Sequence, residues 1–330
     1  MASTSKSAKA KTKGARARSL AWVKFRQRLE LESRLYWNVA CSVAYARRWL
    51  ESLPEDKQPK FLADYPGDKQ DPFLRINIRP SEFIAIEPHA LAMITENAIV
   101  SFVTTFEVYL FEVAQRAIFI QPDLINNSEN QPSNKSTLEF KASELSVAAM
   151  QGDFRSWFSR AVANKYIRGK THAEMIGRLN GMIKLGVNKD NPRVQAWRKW
   201  ELLRNAIVHT ARTVSEDLMR EWGDRFSVVG ARLNLTSRDV IEVTKLAADL
   251  IDAMDIRFRG EVVKSADDEL LIRELFVKFG IEDSGQLRNR VSSITRSVVS
   301  RSEIDRVIGK QKRDGAPIVG YDFAGLLDFD

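Results

Sequence analysis

Apolar residues recur at helical spacing along almost the whole chain. From Leu20 to about Leu50 the positions Trp22, Phe25, Leu29, Tyr36, Val39, Val43 and Trp49 fall mostly at steps of three, four or seven. That spacing predicts a helix packed on one side and ended by Pro54. The next stretch, ESLPEDKQPKFLADYPGDKQDP, is dense in proline and charge and reads as a loop. The alternating FLRINI from Phe73 to Ile78 reads as a short strand or an extended connector. From Glu87 through Ile120 runs the most apolar helix, expected to start at Pro88 as a first-turn residue and to form the centre of the core.

Polar segments punctuate the rest. Gln121 to Ser136 is rich in Asn, Ser and Pro and reads as a surface loop, and helical patterning returns near Phe140 to Asn164 and His172 to Leu185. Gly186 and Asn188 are expected to end the second of these. A further helix opens at Asn191 as N-cap with Pro192 in the first turn, and Val194, Trp197, Trp200, Leu203 and Ile207 form its apolar stripe. Opposite the stripe, Arg198, Asn205, His209 and Arg212 fall at steps of seven, four and three, with Arg204 one residue's rotation away. This reading sets a histidine among cations on one helix face, where an anion has reason to bind.

The acids inside the core helix raise a separate question. Glu96, Glu107 and Glu112 interrupt its apolar surface, and a buried acid must find a partner or stay protonated. Glu107, between Phe106 and Tyr109, is either an exposed carboxylate on the polar edge or a partner for an arginine or histidine.

Length and composition set the bounds. With 330 residues the chain can build a sizeable core as one large domain or two ordinary ones. A single cysteine, Cys41, excludes an intramolecular disulfide, a zinc knuckle or a cysteine cluster and fits a reducing cytosol. No uninterrupted apolar run reaches the roughly 18 to 20 residues of a bilayer span, and the start lacks the apolar core of a signal peptide, so a cytoplasmic protein with no membrane partner is expected. Six charges of the formal net +8 come from Lys6, Lys9, Lys11, Lys13, Arg16 and Arg18. Residues 1–18 are thus expected to form a disordered basic tail, which either holds RNA through counterion release or only solubilises the chain.

The segments around the histidine resemble the HEPN superfamily, in particular its all-helical domains of the RiboL-PSP type. VSFVTTFEVYLFEV is similar to that group's second helix, with Ser101, Phe106, Glu107 and Tyr109 at its signature positions. WELLRNAIVHTARTVS resembles the family's Rx4-6H motif, matched by Arg204, Asn205 and His209. RFSVVGARLNLTSRDVIEVTKLAADLIDAMD resembles the extended turn and closing helix that follow, with Thr236 and Asp239 placed to cap that helix. The resemblance runs from about Glu87 to Phe258.

It implies an all-α bundle with a short extended turn or hairpin before the closing helix, over residues 19–260. Beyond it lies a small C-terminal extension, 261–330, with helical patterns at Glu269 to Phe279 and Ile304 to Ile308. A basic section (Arg288, Arg290, Arg296, Arg301, Arg306) and the final YDFAGLLDFD complete the extension. These parts read as a surface for RNA or a partner, or as a cover for a dimer.

The resemblance further implies a metal-independent endoribonuclease that acts through the RNA 2′-hydroxyl, needs no cofactor, and serves as a toxin or antiviral defence effector. A homodimer with a composite site and an antitoxin or other regulator are the expected partners. In that reading His209 is acid or base, Arg204 stabilises phosphate charge, and Asn205 orients the phosphate or the imidazole. Glu107 and Tyr109 stand behind them, and Arg198 and Arg212 contact RNA, although a solvated helix arginine is the plainer role for Arg212. His89 and His172 read as helix-start residues that assemble no metal site. A non-catalytic HEPN module that binds nucleotide, RNA or protein is the alternative, and a purely structural interaction protein a third.

Overall fold

The computed structural model describes residues 16–60, 78–130, 139–150, 153–167, 169 and 171–319. Among these residues the chain is all-α, with eleven α-helices and no strand. The expected tail (apart from Arg16 to Arg18), the FLRINI segment before Ile78 and the terminal YDFAGLLDFD lie outside them.

Helix α1, Leu20–Ser52, starts at Ser19, whose hydroxyl accepts the Trp22 N–H at 3.2 Å. Helix α2, Pro80–Ile120, packs along α1 and also touches α4, α5, α6 and α8, defined below, so it is the centre of the bundle. It begins at Pro80 rather than at Pro88, which lies inside the helix. Pro80 holds the first-turn position, and Glu82 reaches back to the Arg79 N–H at 3.0 Å to complete a capping box. Pro88 has no N–H for the Ile84 carbonyl, a lost bond that the helix tolerates near its start. Alone among the described residues, α2 is long and apolar enough to cross a membrane; Ile99, Phe102, Val103, Phe106, Leu110 and Val113 along it are buried in the bundle core.

Pro122–Asn130, expected as loop, forms 3-10 turns whose Leu124 and Ile125 pack on the core. The region expected as one helix from Phe140 is broken into α3, Ala142–Met150, and α4, Phe154–Val162, because Asp153 caps a new start by accepting the Ser156 N–H at 3.0 Å. Helix α5, His172–Ile183, ends in left-handed Lys184, followed by Gly186 at φ 72°. Helix α6 is Pro192–His209, α7 Glu216–Glu221 and α8 Ser237–Arg257. Between α6 and α8 one antiparallel bridge joins Thr213 to Arg232, and Val214 N–H donates to the Ala231 carbonyl at 2.8 Å, which forms the short extended passage. Thr236 and Asp239 cap α8 as expected, with the Thr236 N–H donating to Asp239 at 2.7 Å.

A π-helical turn, Phe258–Val263, continues α8 into the C-terminal helices α9, Ala266–Phe279, α10, Ser284–Thr295, and α11, Arg301–Asp314. Helix α10 was not foreseen; it carries Leu287 and Val291 inward and Arg288 outward within the basic section. These helices share a second apolar core, which includes Leu270, Leu271, Leu275, Ile304 and Val307 and borrows Leu20 and Phe119 from α1 and α2.

A buried charged cluster fastens the two cores. Arg116 of α2, with no exposed surface, pairs with Asp267 and donates to both carboxylate oxygens of Glu274 at 3.2 Å. Asp267 also accepts the Leu20 N–H at 3.2 Å, and Asp255 of α8 accepts from the Ser19 hydroxyl, so carboxylates satisfy the first donors of α1. Burial pushes Asp255 and Glu274 each up to about 7; Ser19 and Arg18 oppose it at the first, Arg116 at the second.

Candidate functional site

The motif helix is positioned by its own sequence. Asn191 accepts the Arg193 N–H at 2.9 Å, Pro192 occupies the first turn, and Val194, Trp197, Trp200, Leu203 and Ile207 are all buried. With the stripe locked in the core, Arg204 and Asn205 stand half-buried and His209 exposed at the last helical position. Arg204 Nη1 donates to Asn205 Oδ1 at 3.0 Å. Since arginine can only donate, this contact fixes the amide oxygen toward Arg204 and leaves the amide N–H groups for another acceptor.

Arg212 does not share that helix face. The helix stops at His209, and Thr210 closes a tight turn in which the Thr213 N–H donates to the Thr210 carbonyl at 3.1 Å. Thr210 Oγ1 lies 2.8 Å from the Ala206 carbonyl and 2.7 Å from that of Thr213, and it drains hydrogen bonding away from the helix. The two residues inside the turn, Ala211 and Arg212, have φ of 53° and 67°, left-handed positions that a side chain occupies at a cost. The Arg212 guanidinium is thereby carried onto Glu96 of α2 at 3.0 Å. Glu96 is 1% exposed; burial pushes its carboxyl up, and Arg212, Arg232 and His89 pull it down.

Three residues around Glu96 thus complete a polar cluster that sequence reasoning missed. His89 does not open the core helix but sits in its third turn, where its Nδ1 faces Arg232 Nη2 at 2.9 Å. Arginine being donor only, a neutral His89 carries its proton on Nε2. A signal existed: His89, Glu96 and Glu107 are spaced by seven and eleven residues, which puts all three on one face of α2.

Glu107 meets a histidine, but the histidine is His172. His172 Nε2 lies 3.6 Å from Glu107, His172 Nδ1 accepts the Trp197 indole N–H at 2.9 Å, and the His172 backbone N–H donates to Glu201 at 3.0 Å. His172 does open α5, yet it is 5% exposed and stacked on Phe106, so it is part of the core. Tyr109, two residues beyond Glu107, turns to the opposite side of α2 and packs edge-on against Phe25 at 5.8 Å. It is buried in the core and does not join Glu107. Ser101 is half-buried on α2.

Arg198 is held by Glu221 at 3.0 Å. Both arginines expected to contact RNA are therefore already paired with acids. Among the described residues no group of three or more His, Cys, Asp or Glu converges as a metal site.

No family model, curated protein or solved structure matches this chain. The end of α6 gathers an exposed imidazole able to exchange a proton, an arginine and amide on the preceding turn able to hold an oxyanion, and a strained turn anchored to α2.

Proposed function

We propose that the end of α6 is half of a HEPN-type ribonuclease site, and that the protein is a cytoplasmic, metal-independent endoribonuclease of the toxin or defence-effector kind. The observation that carries this reading is the Arg204–Asn205 hydrogen bond one turn before an exposed His209. It supplies oriented donors for a phosphate and one group for proton transfer. Cleavage by the 2′-hydroxyl needs both an acid and a base, so the reading calls for a second copy that brings a second His209 to the same phosphate. Val208 beside the histidine and Val228 and Val229 on the loop that pairs with Val214 are exposed apolar side chains suited to such a contact.

The test incubates the purified full chain with total RNA in the presence of chelator. The expected result is cleavage to 2′,3′-cyclic phosphate ends, reduced by about 10²–10⁴-fold in His209→Ala at unchanged helicity and unfolding temperature. An inert wild type, or a fully active His209→Ala, overturns the reading. The ion pairs of Arg198 and Arg212 favour a second reading, a non-catalytic module that binds RNA, nucleotide or protein through Arg204 and Asn205. It predicts RNA retention without products.

A further inference from the structure

A second built feature lies in the C-terminal helices, and none of its residues belongs to α6 or to the turn after it. A cavity of about 610 Å³ opens between the π-helical turn after α8, the start of α9 and the start of α11. That volume falls in the range of roughly 300–1,000 Å³ typical of small-molecule sites. Arg16, Arg259, Lys264, Asp268, Ser297 and Val298 give its walls their chemistry.

Four observations converge there. Ser265, the N-cap of α9, and Glu303, in the first turn of α11, are also in the lining, so two helix N-termini with their partial positive charge meet the cavity. Asp268 is 95% buried and bonded to Arg259 Nη2, while its Oδ1 and the Arg259 Nε are both buried without a hydrogen-bond partner. The wall therefore holds one spare acceptor and one spare donor on a single ion pair. Lys264, at φ 48° and ψ −132°, is a strained position in the lining, and the π-helical turn is itself a costly local geometry. Arg16 and Lys264 are exposed cations of the lining, with Ile256 and Val298 as exposed apolar surfaces.

We propose that this cavity binds a nucleotide, with the base's N–H donating to Asp268, its neighbouring acceptor taking the Arg259 N–H, and the phosphates lying against Lys264 and Arg16. The choice follows from complementarity. A polyamine carries the wrong charge for Lys264 and Arg16, and a bare polyphosphate has no donor for a buried carboxylate. Each of the bases offers a donor beside an acceptor on one edge, the arrangement that matches a carboxylate oxygen next to an arginine N–H.

Binding of ATP, UTP, GTP and tripolyphosphate to the full chain by calorimetry, with thermal unfolding in parallel, tests this. ATP, UTP and GTP are each expected to bind one to one and raise the unfolding temperature, with tripolyphosphate weaker by at least about tenfold, the worth of one or two hydrogen bonds to charged groups. Asp268→Asn is expected to weaken binding of the base. Because removing the Arg259 partner risks the fold, Lys264→Gly provides a second arm: it relieves a strained backbone, so the protein stays folded while ATP affinity falls by about tenfold. No binding of any nucleotide at about millimolar concentration overturns the proposal. So does equal binding of tripolyphosphate and ATP, or wild-type ATP affinity in both variants.

Discussion

The cluster that joins α2 to α9 and the polar end of α6 both gather charge, but they treat it in opposite ways. At the first, Arg116, Asp267 and Glu274 are wholly or almost wholly removed from water, and each finds its partner on another helix. At the second, Glu96 alone is buried; His209, His89 and Arg232 face solvent, and Arg204 and Arg212 are half-covered. A buried charge must be compensated by the fold, so the first cluster fixes how the two cores meet. The exposed end keeps donors and an imidazole available at little cost to the fold, as a binding site requires.

This contrast can be broken experimentally. The largest effect is expected from Arg116→Ala, which leaves two acids buried beside an empty position and should cost about 3–5 kcal/mol in urea unfolding. A loss under about 1 kcal/mol would mean that water reaches the cluster.

Next comes pH. Asp255 and Glu274 are raised to about 7 in the folded chain from ordinary values of 3.8 and 4.5, so folding takes up protons between those limits. Their contribution is most favourable below about pH 4 and declines as pH rises toward 7. Wild type compared with Asp255→Asn in urea midpoints from acid to neutral pH should show the decline shrinking in the variant; identical slopes would remove Asp255 from the account.

The two arginines at the other end separate more finely. Arg212→Ala strips a buried Glu96 of its nearest cation and should cost about 1–3 kcal/mol. Arg198→Ala breaks a pair in which both side chains are at least one-third exposed, and should cost under about 1 kcal/mol. Equal losses in thermal unfolding would erase the distinction between a structural and a solvated arginine.

Much of this was legible in one dimension. The α1 and α6 stripes, the Asn191–Pro192 start and the Thr236–Asp239 cap depend on residues within a few positions of one another, and each stands where the periodicity put it. The start of α2 was misplaced because two prolines compete for the first turn and the Glu82 cap settles it at Pro80. Arg212 was misplaced because helical extrapolation ran through Thr210, whose hydroxyl ends the helix. Glu107 reads from sequence either as an exposed carboxylate or as a partner for an arginine or histidine, and which histidine it meets depends on how α5 packs against α2.

The sequence by itself determined the apolar stripes of α1 and α6, the caps that start α6 and α8, and that Arg204, Asn205 and His209 lie close together on one helix. Only the tertiary structure decided which charge meets which. Ser19 and Asp255 are 236 residues apart and Arg116 and Asp267 are 151 apart, and no periodic pattern links such positions. The physical reason is that amphipathicity repeats with the helical turn and is written locally, whereas a buried ion pair is selected when two helices close on each other and water leaves.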